Sequence, residues 1–192
     1  MAGEAGAILV ILPGPALPFQ GCRYFQRVAV DLAEGAHFIW GDVWLPGRYA
    51  RGAASERFQF RTLIQDLTVR RTGRLIFRDR FCWQGPWDEA TAQWHFGGRD
   101  AYGSLFSTVA DGQVTLSKEV AAEDQPLEAA IRQATFQTAE KNTCRRWLGA
   151  AEAVTAAISR RALTLAAEAE GETGPWFLAS HELAPNHWFS SV

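Results

Sequence analysis

Two adjacent stretches decide the fold class: CRYFQRVAVDL at residues 22–32 and AHFIWGDVWL at residues 36–45. In the first stretch, apolar and polar side chains alternate from Val28 onward, and this period of two predicts a β-strand. Gly35 ends the connection between the stretches, because glycine accepts the positive φ of a tight turn. One side of the first strand carries Cys22, Tyr24, Gln26, Val28, Val30 and Leu32, and the other carries Arg23, Phe25, Arg27, Ala29 and Asp31.

The second strand places an acidic side chain among aromatic ones. Phe38, Trp40 and Trp44 share a face with Asp42, whereas Ile39, Val43 and Leu45 form the opposite face. A carboxylate is costly to bury unless a charged or hydrogen-bonding group meets it. Arg48 and Arg51 follow closely, so the simplest interpretation of Asp42 is an ion pair with one of these arginines.

The chain from Arg57 to Trp83 predicts a β-hairpin with one apolar and one arginine-rich face, turning at Thr72-Gly73. The arginines fit either a solvated sheet surface or a docking surface for an acidic partner. The first strand alternates Phe58, Phe60, Thr62 and Ile64 with Arg57, Gln59, Arg61 and Leu63. The second alternates Leu75, Phe77, Phe81 and Trp83 with Arg74, Ile76, Arg78 and Arg80.

Further elements follow in both directions. A first strand is predicted within Met1–Leu12, and the similar triplets Gly6-Ala7-Ile8 and Gly35-Ala36-His37 suggest a quasi-repeat. Residues 84–100 are predicted as a loop, and Ala101–Val109 and Gln113–Glu119 as strands around Asp111-Gly112. A helix is predicted from Asp124 with Leu127, Ala130, Ile131 and Ala134 on one face, then a strand at Thr143–Leu148, then a helix over Ala150–Glu168 with Val154, Ile158, Ala162 and Leu165 inward. Short packed segments are predicted around Trp176-Phe177-Leu178 and Trp188.

This order predicts an α+β fold. β-rich antiparallel sheets occupy the first 118 residues or so, and a helix–strand–helix part follows at 119–192. We expect a single domain over residues 1–192, because this length is sufficient for one hydrophobic core.

Composition excludes several functional classes. A net charge of −2 gives no field that would draw the chain to nucleic acid or to a membrane surface. The apolar run at residues 7–12 is too short for a membrane span. Three widely spaced cysteines, Cys22, Cys82 and Cys144, are typical of reduced thiols in a cytosolic protein.

Signatures of catalysis are missing from the sequence, which has no P-loop, no GxGxxG and no GxSxG motif. His181, Glu182 and His187 do not follow a metal-ligand spacing. No nucleophile, base and orienting group can be assembled, so we predict that the chain is not an enzyme. Trp83, Trp87 and Trp94 lie in or beside the predicted loop, where they either cover a sheet or bind a carbohydrate.

Several motifs occur in an order that resembles the urease accessory proteins of the UreD/UreH family. They are PFQGCRYFQ at residues 18–26, GAHFIWGDVWLPGRYARG at 35–52, ERFQF at 56–60, Gly73-Arg74-Leu75, and LAPNHW at 183–188. The resemblance covers residues 6 to about 110 and extends loosely to the rest. It implies a non-catalytic maturation factor of the cytoplasm. Such a factor joins UreF-like and UreG-like proteins and apo-urease, and helps nickel to reach the urease active site.

The resemblance also implies roles for particular residues. No tightly bound cofactor is expected, only transient contact with Ni²⁺, for which Asp42 and Glu56 are the candidates because carboxylates are suitable ligands. Partner contacts are predicted at Arg48, Arg51, Arg57 and Arg61, since arginine forms bidentate contacts.

The chain also departs from the family. Compared with it, the chain lacks the N-terminal part, so we expect either incompletely covered apolar surface on the strands from Val28 to Phe81 or a degenerate, inactive fragment.

Overall fold

Two stacked β-sheets and a long helix form the fold in the computed structural model, which describes residues 2–3, 6–48, 56–110, 131–138, 140–173 and 177–178. Sheet A has the order β1-β3-β5-β6, with β1 at Ala2–Gly3, β3 at Arg23–Leu32, β5 at Thr62–Arg71 and β6 at Arg74–Gln84. Sheet B has the order β10-β2-β4-β7-β9-β8, with β2 at Ile8–Ile11, β4 at His37–Trp44, β7 at Ala101–Ser107, β8 at Arg132–Gln137, β9 at Thr143–Gly149 and β10 at Phe177–Leu178. The helices are α1 at Glu89–Phe96 and α2 at Ala151–Thr173.

The first five strands alternate between the two sheets. Each therefore returns to its own sheet in the same direction, and the pairs β1–β3, β3–β5 and β2–β4 are parallel. The pairs β5–β6, β4–β7, β7–β9 and β8–β9 are antiparallel. The predicted α+β class is confirmed, while the sheets are mixed rather than wholly antiparallel because crossing between sheets replaces simple hairpins.

The quasi-repeat is visible as two neighbouring strands. Ile8 of β2 pairs with His37 of β4 in parallel register, and the His37 N–H donates to the Ala7 carbonyl at 2.8 Å. Gly6 and Gly35 both have a φ of 74° at the strand entries. The two Gly-Ala triplets therefore form the same type of turn, one before β2 and the other before β4.

The core lies in two layers. Between the sheets, apolar side chains of β3, β5 and β6 meet those of β4, β7 and β9; the buried members are Val28, Val30, Leu32, Ala36, Phe38, Trp40, Leu67, Val69, Ile76, Phe77, Phe106 and Cys144. On the other face of sheet B, α2 packs with Val154, Ile158, Ala162 and Leu165 buried, as predicted. The helix runs past Gly171 to Thr173, beyond its predicted end at Glu168.

Four sequence predictions near the hairpin need correction. Residues 57–61 precede β5 instead of forming its start, and Phe58 has a φ of 57°. A bulge between Val69 and Arg70 shifts the register, so Leu75 is 52% exposed and Ile76 is buried, the reverse of the predicted faces.

The predicted loop at 84–100 contains α1, which Asp88 caps by accepting from the Thr91 N–H at 2.8 Å. Among described residues of the strands from Val28 to Phe81, Leu75 is the only large apolar side chain that is exposed, so the expectation of uncovered surface there is wrong.

The helix predicted from Asp124 through Ala134 is also wrong where it can be compared, because Ala134 lies in β8. Pairing with β9 satisfies the backbone of this segment and outweighs its helical pattern. The strand predicted at Gln113–Glu119 and the segment around Trp188 lie outside the described residues. In the part of the chain that the structure describes, no helix has the length and apolar character needed to cross a membrane.

Candidate functional site: a buried carboxylate between the sheets

Asp42 lies on the inner face of β4 and is only 5% exposed. Its Oδ2 accepts hydrogen bonds from Trp40 Nε1 at 2.9 Å and from Gln65 Nε2 of β5. Its Oδ1 is buried and has no hydrogen-bond partner among the described residues. The carboxylate is therefore held at one oxygen and unsatisfied at the other, in the space between the two sheets.

The surroundings of Asp42 disfavour its charged form. Burial raises the pKa of Asp42 from an ordinary 3.8 to about 6, although the hydrogen bonds from Gln65 and Trp40 act in the opposite direction. Asp79 raises the pKa further by repulsion, and Arg146 lowers it by attraction. A pKa of about 6 lies near physiological pH, so Asp42 changes its charge closer to neutrality than an exposed aspartate does.

An ion pair links the two sheets beside Asp42. Arg146 of β9 contacts both carboxylate oxygens of Asp79 of β6, at 2.9 and 3.0 Å. Tyr102 of β7 and Cys144 of β9 lie in the same electrostatic neighbourhood, and burial raises the pKa of each, that of Cys144 to about 12. Both groups therefore stay protonated at neutral pH.

The predicted pairing of Asp42 with Arg48 is wrong. Arg48 donates instead to Glu56 through two bonds, at 2.8 and 2.6 Å, and its guanidinium lies 4.8 Å from the Phe19 ring. This pair is at the surface, with the Arg48 side chain 55% exposed, and it lowers the pKa of Glu56. The two proposed nickel contacts, Asp42 and Glu56, thus have separate sets of partners, and Arg51 lies outside the described residues.

The other two arginine candidates for partner contacts, Arg57 and Arg61, lie at the surface. Arg57 pairs with Asp100 at 2.9 Å and borders an open pocket of about 320 Å³ that Phe58, Trp87 and Arg99 also line. Arg61 is exposed immediately before β5. The structure places these two arginines on the surface, where contact with a partner is sterically feasible, and this role stays a prediction.

The three tryptophans of the carbohydrate hypothesis do not form a shared platform. Trp87 is 8% exposed, and its Nε1 donates to the Gln84 carbonyl at 2.8 Å. Trp83 packs in the same aromatic cluster, which closes one end of the sheet stack. Trp94 is 85% exposed on α1. Two of the three rings therefore stabilise the fold.

Sequence reasoning missed three residues of the site: Gln65, Asp79 and Arg146. Gln65 shares the inward parity of Leu63 and Leu67 on β5, and Asp79 shares that of Phe77 and Phe81 on β6. A polar residue at an inward position was the available signal. Among the described residues, no three His, Cys, Asp or Glu side chains are grouped closely enough to hold a metal ion. His181, Glu182 and His187, whose spacing does not predict a metal site, lie outside them.

Comparison with known proteins defines the class. The sequence model of a family described as "UreD urease accessory protein" matches residues 2–180. Urease accessory protein UreD 2 of Streptomyces griseus is 41% identical over 71 residues, which are 37% of this chain and 23% of that protein. Urease accessory protein UreD of Nitrosococcus oceani is 31% identical over 128 residues, which are 67% of this chain and 41% of that protein.

These matches define a urease accessory class of protein. The chain belongs to the UreD family. The matched stretches span about a quarter to two fifths of the curated relatives' own length.

Proposed function

We propose that this protein is a non-catalytic maturation factor of the cytoplasm that helps to insert nickel into apo-urease. It acts together with UreF-like and UreG-like proteins as a scaffold. Nickel is its cargo and contacts the protein transiently through Asp42. Membership of the UreD family over residues 2–180 supports the accessory role.

The observation that carries the role of Asp42 is the energetic cost of its position. A carboxylate with a pKa raised to about 6 by burial is less stable in the folded chain than a neutral side chain would be. Its Oδ2 accepts from two neutral donors, Trp40 and Gln65, but its Oδ1 has no partner among the described residues, so hydrogen bonding offsets only part of the cost of burying the charge. Buried groups of this kind are typical of functional sites, and a carboxylate oxygen is a suitable transient ligand for Ni²⁺.

The test is urease activation in cells in which this chain replaces the host's UreD protein, with the other urease genes intact. The readouts are urease activity and the nickel content of purified urease. With Asp42→Asn we expect nickel content to fall by about tenfold, an effect typical of altering the groups that support a metal site. The level of the variant and its co-purification with the UreF-like protein should not change.

A matched control is Asp31→Asn, which removes one charge from the exposed side of β3. This control should leave nickel content unchanged. Normal nickel content with Asp42→Asn would exclude the nickel role of Asp42 alone. Failure of the wild-type chain to activate urease or to co-purify with the UreF-like protein would exclude the accessory function itself.

A further inference from the structure

Sheet B extends further sideways than sheet A. Among the described strands, β6 has β5 as its one neighbour and ends sheet A, whereas sheet B continues through β9 to β8. Inner side chains of β6 reach β7 and β9: Phe77 stacks on Phe106 with ring centroids 4.0 Å apart, and Asp79 pairs with Arg146. The inner face of β8 thus lies beyond the edge of sheet A.

The inner face of β8 forms a shelf, defined here by Arg132, Ala134 and Phe136. All three side chains are exposed, and Phe136 is 40% exposed. The guanidinium of Arg146 lies 5.6 Å from the Phe136 ring and pairs with Asp79 of β6, so the shelf begins directly beside the β6 edge. A further strand next to β6 would cover Phe136 with its inward side chains.

The outer side of the same edge is positively charged. Arg78 binds Asp66 through two bonds, at 3.2 and 3.0 Å. Arg80 and Arg27 flank the same carboxylate, and all three arginines lower the pKa of Asp66. Three cations around one anion leave a positive surplus beside β6, which would meet the outward side chains of an added strand.

We propose that the β6 edge binds an extended segment of an acidic partner protein, which adds to sheet A as a further strand. Its apolar side chains cover Phe136 and Ala134 on the shelf. Its alternate, acidic side chains face Arg78 and Arg80. Strand addition of this kind derives affinity from backbone hydrogen bonds and specificity from the alternating side chains. The inference does not depend on the role in urease maturation.

Charge argues against a second copy of this chain as the occupant. If two β6 strands paired antiparallel about Asp79, Arg78 of one copy would lie opposite Arg80 of the other. Like charges directly opposite on neighbouring strands are destabilising. An acidic segment converts the same positions into favourable contacts.

The probe is an acetylated and amidated peptide of alternating glutamate and valine, titrated against the full chain by calorimetry and hydrogen exchange. We expect saturable binding that slows amide exchange in residues 74–84. Arg80→Glu and, separately, Phe136→Ala should each weaken binding by about tenfold, which corresponds to about 1.4 kcal/mol. Arg23→Glu on β3 and Leu163→Ala on α2, which is 48% exposed, are the controls and should bind like wild type.

Several results would overturn this proposal. Slow exchange, in the chain alone, at the β6 amides that point away from β5 would mean that another part of the chain already covers this edge. Equal binding of a lysine–valine peptide would show that the edge does not prefer acidic segments. If neither peptide binds, the β6 edge is not a binding site for extended segments. A dimer in sedimentation that Arg80→Glu changes would identify a second copy as the occupant.

Discussion

At the scale of single residues, Asp42 differs in the direction of its pKa shift from the other shifted carboxylates of the described residues, Glu56, Asp66 and Asp88. Pairing with arginine lowers the pKa of Glu56 and Asp66, whereas burial raises that of Asp42. The first two carboxylates are charged and partly hydrated. Asp42 is charged at neutral pH only against the cost of desolvation.

The first prediction concerns stability against pH. An acid that binds its proton more tightly in the folded chain stabilises the fold most below its unfolded pKa of 3.8, and this stability is lost as pH rises to about 6. The loss attributable to Asp42 is at most about 3 kcal/mol, since one pKa unit corresponds to about 1.4 kcal/mol. Asp42→Asn should therefore be more stable than wild type at pH 7.5 by about 1–3 kcal/mol, with the advantage disappearing near pH 4.

Urea unfolding of both proteins across this pH range measures the difference. Asp31→Asn, the exposed control, should not reproduce it. If Asp42→Asn instead loses stability equally at both ends of the range, the hydrogen bonds from Trp40 and Gln65 to the carboxylate outweigh its desolvation, and the argument for a functional cost is wrong.

At the scale of elements, two glycines allow α2 to approach sheet B. A Cβ on Gly41 would lie 2.7 Å from Ile158 Cγ2, and one on Gly103 would lie 2.5 Å from Val154 Cγ1. Gly41 on β4 and Gly103 on β7 are neighbouring strand positions beneath one helix face. Here glycine is required by close packing, because any side chain would displace the helix.

The second prediction tests this contact. Gly103→Ala should destabilise the fold by about 1–3 kcal/mol through overpacking. Val154→Ala alone should also destabilise it, because it leaves a cavity. The double variant should be more stable than the sum of the two losses predicts, since the methyl group of Ala at 103 occupies the space vacated by Val154. Unfolding in urea provides all three values, and strictly additive losses would contradict the proposed contact.

At the scale of the whole molecule, the Asp79–Arg146 pair joins β6 of sheet A to β9 of sheet B. The Asp79 and Arg146 side chains are 25% and 40% exposed, so the pair is partly shielded from solvent. The apolar core between the sheets and the α2 layer lie on either side of sheet B. Among the described residues, sheet A is thus attached to the rest by apolar and aromatic packing and by polar contacts that include Gln65–Asp42, Arg74–Glu140 and this ion pair.

The third prediction follows from that arrangement. Asp79→Asn should leave the Arg146 guanidinium without its charged partner and cost about 1–3 kcal/mol. Amide exchange should become faster in β6 and β9 but not in α2, because the substitution weakens only the attachment of sheet A. Hydrogen exchange with mass analysis measures this pattern, with Glu56→Gln at the surface pair as the control. Uniform acceleration in α2 as well would show that the layers unfold as one unit.

Local sequence patterns determined much of the fold. The strands at β3, β4, β6, β7 and β9 and the helix α2 were predictable because side-chain period reports directly on backbone conformation. The same alternation of side chains placed Asp42 on the face of β4 that points inward. The family resemblance was visible in the order of several short motifs. The helix α1 had local signals, Asp88 and Gly97, within a stretch predicted as loop.

Only the tertiary structure decided which strands became neighbours and which polar groups met. Asp42 contacts Gln65, 23 positions away, and not the nearby Arg48, because sheet stacking brings β4 over β5 while Glu56 engages the arginine. Residues 132–137 form a strand because β9 supplies hydrogen-bond partners that no local pattern encodes. Period reports on conformation within a segment, whereas the partners of a buried carboxylate depend on contacts between segments distant along the chain.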